Sequence, residues 1–333
     1  MQKKQLKRID LENRTKLETV IPLRTPFIIN VDPSDSCNFK CGFCPTGDRA
    51  LMKKVGRPFI TMNFDLFKKI IDDLKDFPEP IKVLRLYKDG EPLLNPNFPE
   101  MVKYAKDSGH VLRVDTTTNG SLLNPTLNRK IIDSGIDRIN ISVEGVNAGQ
   151  YMSFSKYKID FDKFVDNVRD LYNNKKNCEI VVKINGDVLS DEDKLFFKKT
   201  FEEISDSAYI EHIMSCWPEF ELRDGLEVND KVALYGQKIK EVSVCPYVFY
   251  SFSINSDGKV SLCFLDWSKK LLIGDTREEK LKDIWLGSKL RSYQKMFLEG
   301  NRKSHPVCKD CGQMTHGMPD NIDEFSEDIL KRI

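Results

Sequence analysis

From residue 26 to residue 214 the chain alternates between two periodicities, and this limits its fold more than any other feature. Short β-branched runs, which read as strands, lie at Pro26–Val31, Ile81–Tyr87, Val111–Thr116, Asp137–Val143, Cys178–Ile184 and Ala208–Met214. Between them stand segments with apolar residues at helical spacing. Asn63–Phe77 carries Phe64, Phe67, Ile70, Ile71 and Leu74 on one face, and Phe98–Lys106, Pro125–Ser134, Phe161–Asn173 and Leu195–Ile204 follow suit. Gly135 stands where a helix C-cap is expected. A period near 2 alternating with one near 3.6 predicts strand–helix units. Successive units of this kind bury their apolar faces as a parallel sheet with helices outside, so the class is α/β. Six units fall short of the eight that close a barrel.

The first strand runs into Cys37-Asn38-Phe39-Lys40-Cys41-Gly42-Phe43-Cys44. Three thiolates this close can hold three corners of a cubane iron–sulfur cluster and leave the fourth iron open to a substrate-like ligand. The alternative is a zinc knuckle, but zinc sites usually pair cysteines two by two and close at four ligands. A second set lies near the C-terminus: Cys245, Cys263 and the pair Cys308-x2-Cys311. Four cysteines fit a fully ligated cluster or a zinc site equally well by spacing.

Composition narrows the setting. The 333 residues are 40% hydrophobic and 31% charged, as in a globular protein of one large and one small domain. Basic and acidic residues number 52 and 51, leaving a net charge of +1 and no footprint for nucleic acid or an acidic membrane. Met1–Lys16 is polar, without the apolar run of a signal peptide or membrane span, so the expected location is cytoplasmic. Nine cysteines in a reducing compartment favour metal ligation over disulfides.

Other polar motifs fall at the C-terminal ends of predicted strands: Asp89-Gly90-Glu91-Pro92, Thr117-Thr118-Asn119-Gly120, Ser142-Val143-Glu144-Gly145 and Lys183-Ile184-Asn185-Gly186. Their repetition at one end of an apolar sheet predicts a shared site. Each also has a plainer reading, as a turn or a solvated strand end.

The cysteine spacing, with aromatic Phe43 before the last cysteine, resembles the signature of the radical S-adenosylmethionine (SAM) enzymes, Cys-x3-Cys-x-aromatic-Cys. The resemblance covers roughly residues 26–315 and implies an open, partial (β/α)6 barrel over 26–215. The extension 1–25 would precede that barrel, and a connector would follow it over 216–244. It implies SAM and a 4Fe-4S cluster on Cys37, Cys41 and Cys44. Gly90, Glu91 and Pro92 look like the family's Gly-Glu-Pro element, which receives the methionine amine of SAM. Asp89 stands where many relatives have a second glycine. Ser142 and Glu144 sit where relatives bind the SAM carboxylate or ribose hydroxyls, and Thr118 and Asn119 join the same pocket. Tyr87, Lys88, Lys183 and Asn185 are candidate substrate contacts.

Residues 245–333 resemble the auxiliary-cluster domain of SPASM and twitch proteins. The hairpin Tyr247–Ile254 and Lys259–Cys263 across Asn255-Ser256-Asp257-Gly258, the Asp283-Ile284-Trp285 element and the helix Lys289–Phe297 carry this likeness. A full SPASM domain has seven cysteines. Four here imply the single-cluster twitch form, with a second 4Fe-4S cluster on Cys245, Cys263, Cys308 and Cys311. The connector should hold a short helix near Lys231–Ile239.

The mechanism implied is reductive cleavage of SAM to a 5′-deoxyadenosyl radical, which abstracts hydrogen from an unactivated carbon. The electron would come from a donor such as flavodoxin or ferredoxin. Epimerisation or dehydrogenation follows, according to whether a thiol returns a hydrogen atom or the auxiliary cluster takes an electron. Two cysteines remain. Cys178 opens a strand and reads as a buried thiol, whereas Cys216 lies past the last barrel strand and is the candidate hydrogen donor. Only 36 residues precede Cys37, less than the about 80–90 of a peptide-recognition domain. The expected substrate is therefore small and polar: a sugar, nucleotide sugar, aminocyclitol or aminoglycoside. A peptide-modifying enzyme is the alternative, and a zinc-dependent regulator a distant one.

Overall fold

The computed structural model describes residues 13–333 except 215, 230 and 234–237. Six parallel strands form the barrel half: β1 (Ile28–Val31), β2 (Val83–Leu86), β3 (Val114–Thr118), β4 (Arg138–Val143), β5 (Glu179–Asn185) and β6 (Ser207–Glu211). They lie in sequence order in an unclosed sheet. Helices Phe64–Asp73, Phe98–Asp107, Pro125–Asp133, Phe161–Asn174 and Asp191–Phe201 connect them. Their buried faces are the apolar ones read from spacing: Phe67, Ile70 and Ile71 in the first, Phe164, Val165, Val168 and Leu171 in the fourth.

The sheet does not end at β1. Strand β7 (Ser251–Ile254) pairs with β1 in parallel, and β8 (Lys259–Ser261) and β9 (Leu272–Asp275) continue antiparallel to give nine strands. The expected hairpin is thus an extension of the barrel sheet. This pairing covers what would otherwise be an open edge on β1, and every side chain of β7 is buried.

Several boundaries differ from expectation. The last barrel helix begins at Asp191, not Leu195, because Ser190 and Asp193 form a capping box. Asp283–Trp285 lies on a helix, Leu281–Leu286, followed by the helix Ser288–Leu298. Of the helix expected near 231–239, residues 231–233 are not helical and 234–237 lie outside the described residues. Two short helices, Arg49–Lys54 and Ala148–Ser155, have no periodic signal of their own. Among the described residues no helix is long and apolar enough to cross a membrane.

Candidate active site at the junction of the two cysteine sets

The loop after β1 is folded by its non-cysteine residues. Phe39, 2% exposed, packs on Tyr157 and Tyr151 with ring centroids 4.8 and 6.1 Å away. Lys40 N donates to Ser155 O at 2.8 Å, so the short helix Ala148–Ser155 supports the loop from below. Cys41 is buried, and Cys37 and Cys44 are partly exposed. Burial pushes the Cys37 thiol up to about 12, followed by the charge of Glu91, while Cys44 adds to the rise. Burial also raises Cys41, then Glu144, Cys44 and Cys37. The three thiols are therefore mutual electrostatic neighbours.

The Gly-Glu-Pro turn is docked against this loop backbone to backbone. Glu91 N donates to Ser36 O at 2.8 Å. A Cβ on Gly90 would lie 2.2 Å from Ser34 O and 2.3 Å from Ser36 O, which only glycine permits. The Glu91 carboxylate, 2% exposed, accepts from Leu93 N at 3.0 Å, Thr118 Oγ1 at 2.6 Å and Asn119 N at 2.7 Å. Asn119 Nδ2 reaches Asn38 Oδ1 at 2.9 Å and the Cys37 sulfur at 3.9 Å. Glu91, Thr118 and Asn119 thus tie three strand ends together, in addition to any role toward a ligand. Pro92 opens a short 3-10 turn whose first residues are buried.

A small, partly open pocket lies beside this loop, lined by the apolar Phe43, Ile184 and Leu226 and by the polar Glu144 and Asn185. Ser142 and Lys183 are paired neighbours on β4 and β5. Lys183 Nζ meets Glu211 Oε2 at 3.2 Å. Burial pushes Glu144 up to about 7, with Lys183 pulling it down and Glu211 pushing it up. Glu144, Lys183 and Glu211 therefore face one another at one end of the sheet. Cys178 is buried immediately before β5, in keeping with its reading as a buried thiol.

Lys88 differs from expectation. Its side chain is wholly buried, and Nζ donates to Asp89 Oδ2 at 2.5 Å and to Asp266 O at 3.1 Å. This ammonium joins the barrel to the auxiliary half, and it is not open to a substrate. Tyr87, beside it, is partly exposed.

The auxiliary cysteines also converge. Burial pushes Cys245 up to about 12, then Cys311 and Cys308. Burial raises Cys263 as well, then Cys245 and Cys311. Cys308 rises by burial, then Cys263 and Cys311. Arg302, 4% exposed, donates to Cys308 O at 2.8 Å and holds the second pair in place.

The connector is not a passive linker. Arg223 Nη2 donates to Cys41 O at 2.8 Å, and Arg223 N to Gly42 O at 3.1 Å. Trp267 Nε1 donates to Pro218 O at 2.7 Å on the auxiliary side. Cys216, within this strap, is pushed up to about 12 by burial, then by the charges of Cys311 and Cys44. Arg223, Glu211, Asp266 and Arg302 carried no motif, because each owes its position to long-range packing.

Residues 31–204, more than half of the chain, match the Radical SAM superfamily. The chain belongs to the radical SAM superfamily. Residues 245–312 match the SPASM iron-sulfur cluster-binding domain. Among curated relatives of this radical SAM chain is the AdoMet-dependent heme synthase of Methanosarcina barkeri (strain Fusaro / DSM 804). It is 24% identical over 302 residues, 78% of this chain and 82% of the relative. Among solved structures, BtrN in complex with AdoMet and 2-DOIA superposes with a TM-score of 0.56 at 20% identity, over 89% of this chain and 97% of that one. SuiB of Streptococcus suis bound to precursor peptide SuiA gives 0.62 at 14% identity, over 83% of this chain and 68% of SuiB. At these identities the likeness is one of fold.

The cofactors of this radical SAM enzyme are SAM, the 4Fe-4S cluster that binds it, and auxiliary iron–sulfur. The donor sets fit. Cys41 is buried and the other six thiols are partly exposed. Thiolates are soft ligands suited to iron–sulfur, and bound iron favours their deprotonated form.

Proposed function

We propose that the enzyme abstracts a hydrogen atom from a small polar substrate, a polyol, sugar or aminocyclitol, held between the two cysteine sets. The outcome is epimerisation or dehydrogenation. The carrying observation is that the partly exposed Cys216 thiol lies within electrostatic reach of Cys311 of one set and Cys44 of the other, with Lys183 also acting on it. Cys37, Cys41 and Cys44 would hold the SAM-binding cluster, and Cys245, Cys263, Cys308 and Cys311 the auxiliary one. SAM and its cluster supply, when bound, a carbon radical able to break an unactivated C–H bond.

The chain's own residues do the rest. The apolar walls around Phe43 and Ile184 suit a flat adenine, and Glu144 and Asn185 offer polar partners at its edge. Gly90, Glu91, Thr118, Asn119 and Ser142 frame the loop where the methionine end would lie. Glu144, Lys183 and Glu211 present two carboxylates and an ammonium, which match hydroxyl and amino groups. The Cys216 thiol keeps its proton at neutral pH, and an intact S–H is what a hydrogen-atom donor needs. After donation, the sulfur radical takes back one electron and one proton. A low-potential flavodoxin or ferredoxin is the matching reductant.

A peptide substrate is the second reading, favoured by the fold likeness to SuiB. Release of 5′-deoxyadenosine by reduced enzyme across sugars, aminocyclitols and short peptides decides between them. Stimulation by a carbohydrate-like compound is expected, and stimulation by peptides alone would overturn the small-molecule reading. With a substrate in hand, Cys216→Ala should keep SAM cleavage and lose deuterium incorporation from heavy water. Unchanged product and labelling would remove Cys216 from the mechanism.

A further inference from the structure

Behind Cys44 lies a buried network of charges that no motif announces. Arg57 is 4% exposed, yet its Nε and Nη1 have no acceptor. Its Nη2 donates to Asp35 O at 2.9 Å and to Thr46 Oγ1 at 2.7 Å. Thr46 Oγ1 in turn donates to Asp89 O at 2.6 Å. Every acceptor of Arg57 is thus a neutral oxygen. Thr46 stands two residues after Cys44, so its bond to Arg57 Nη2 brings the guanidinium up against the end of the cysteine loop.

The remaining charges nearly cancel. Asp35 is paired with Lys269 at 2.6 Å, and Asp89 with Lys88 at 2.5 Å. Asp32 is 0% exposed, and neither carboxylate oxygen has a partner. Burial, then Asp89 and Asp35, push its pKa far above the carboxylate range, against Lys88 and Arg57. A carboxyl this deeply buried, with no hydrogen-bond partner on either oxygen, favours its neutral form. Two neutral pairs and one neutral acid leave the positive charge of Arg57 as the net charge of the network. Three thiolates around an oxidised four-iron core leave one net negative charge, and one-electron reduction makes it two.

We propose that Arg57 is a buried counter-charge of the three-cysteine cluster, a positioning residue that eases the one-electron reduction on which SAM cleavage depends. Its charge acts without ligating iron. Burial keeps that charge from being screened by salt as a surface arginine would be. The proposal rests on Cys37, Cys41 and Cys44 holding the SAM-binding cluster and is independent of the substrate.

The test is a redox titration followed by electron paramagnetic resonance on wild type, Arg57→Gln, Arg57→Lys and Asp32→Asn, each with iron content measured. The signal that changes on adding SAM identifies the three-cysteine cluster, and the other signal is an internal control. Arg57→Gln should move the SAM-responsive midpoint to more negative values, Arg57→Lys should restore most of it, and the auxiliary midpoint should stay. Asp32→Asn, which keeps a neutral side chain, should leave both unchanged. Loss of the SAM-responsive cluster in Arg57→Gln but not in Arg57→Lys also supports the charge role. An unmoved midpoint in Arg57→Gln, equal effects of Gln and Lys, or a positive shift in Asp32→Asn would overturn it. A wild-type spectrum indifferent to SAM would overturn the cluster assignment, and the proposal with it.

Discussion

Glu91 shows how one residue serves fold and chemistry together. Its carboxylate takes three hydrogen bonds from the turn after β2 and the end of β3. Burial still pushes its pKa from 4.5 up to about 7, against the pull of those donors. Between these values the native state holds a proton that the unfolded chain has released. Stability from this group is therefore full below about 4.5 and falls as pH rises to about 7. Glu91→Gln does not titrate. In denaturant unfolding across this window, the stability of wild type relative to the variant should decline by up to roughly 3 kcal/mol. A difference that ignores pH would refute the assignment. Glu91 could be picked out from its place in Gly90-Glu91-Pro92. Its partners Thr118 and Asn119 could be named as candidates, but their bonds to Glu91 follow only from β2 and β3 lying side by side.

At the scale of elements, the periodic segments announced themselves and the docked loops did not. The helices at 64–73, 98–107, 125–133 and 161–174 follow the apolar spacing closely. The helix starting at Asp191 was signalled by its cap, Ser190 with Asp193, more accurately than by Leu195 and the residues after it. Ala148–Ser155 lacks an apolar stripe, so periodicity was silent where tertiary contact with the cysteine loop stabilises the helix. The docking of the Gly-Glu-Pro turn on residues 34–36 is the contact most sensitive to change. In Gly90→Ala the added methyl meets two backbone carbonyls that cannot rotate away. The expected loss is about 3 kcal/mol or more in urea unfolding, with less iron bound at the first cysteine set. A variant with full iron content and unchanged stability would show that the turn can dock elsewhere.

Across the whole molecule, the two cysteine sets belong to one sheet through β1 and β7. Two lysines brace that junction in opposite directions: Lys88 of the barrel to Asp266 O, and Lys269 of the auxiliary half to Asp35. Lys269→Met would strand a carboxylate that is 0% exposed at its side chain, at a cost of about 3–5 kcal/mol. Adding Asp35→Asn should return most of that loss in a double-mutant cycle, and additive losses would show that the pair is not coupled. The sequence by itself determined the alternating α/β architecture and the spacing of both cysteine sets, because periodicity and spacing are local properties, and its signature carried the family resemblance from which the chemistry was expected. Only the tertiary structure decided that β7 continues the barrel sheet, that Lys88 is a buried strut, and that the connector binds the first cysteine loop. These depend on which distant segments share a surface, and burial and pairing energies of the folded chain settle that, not the residues along any one stretch.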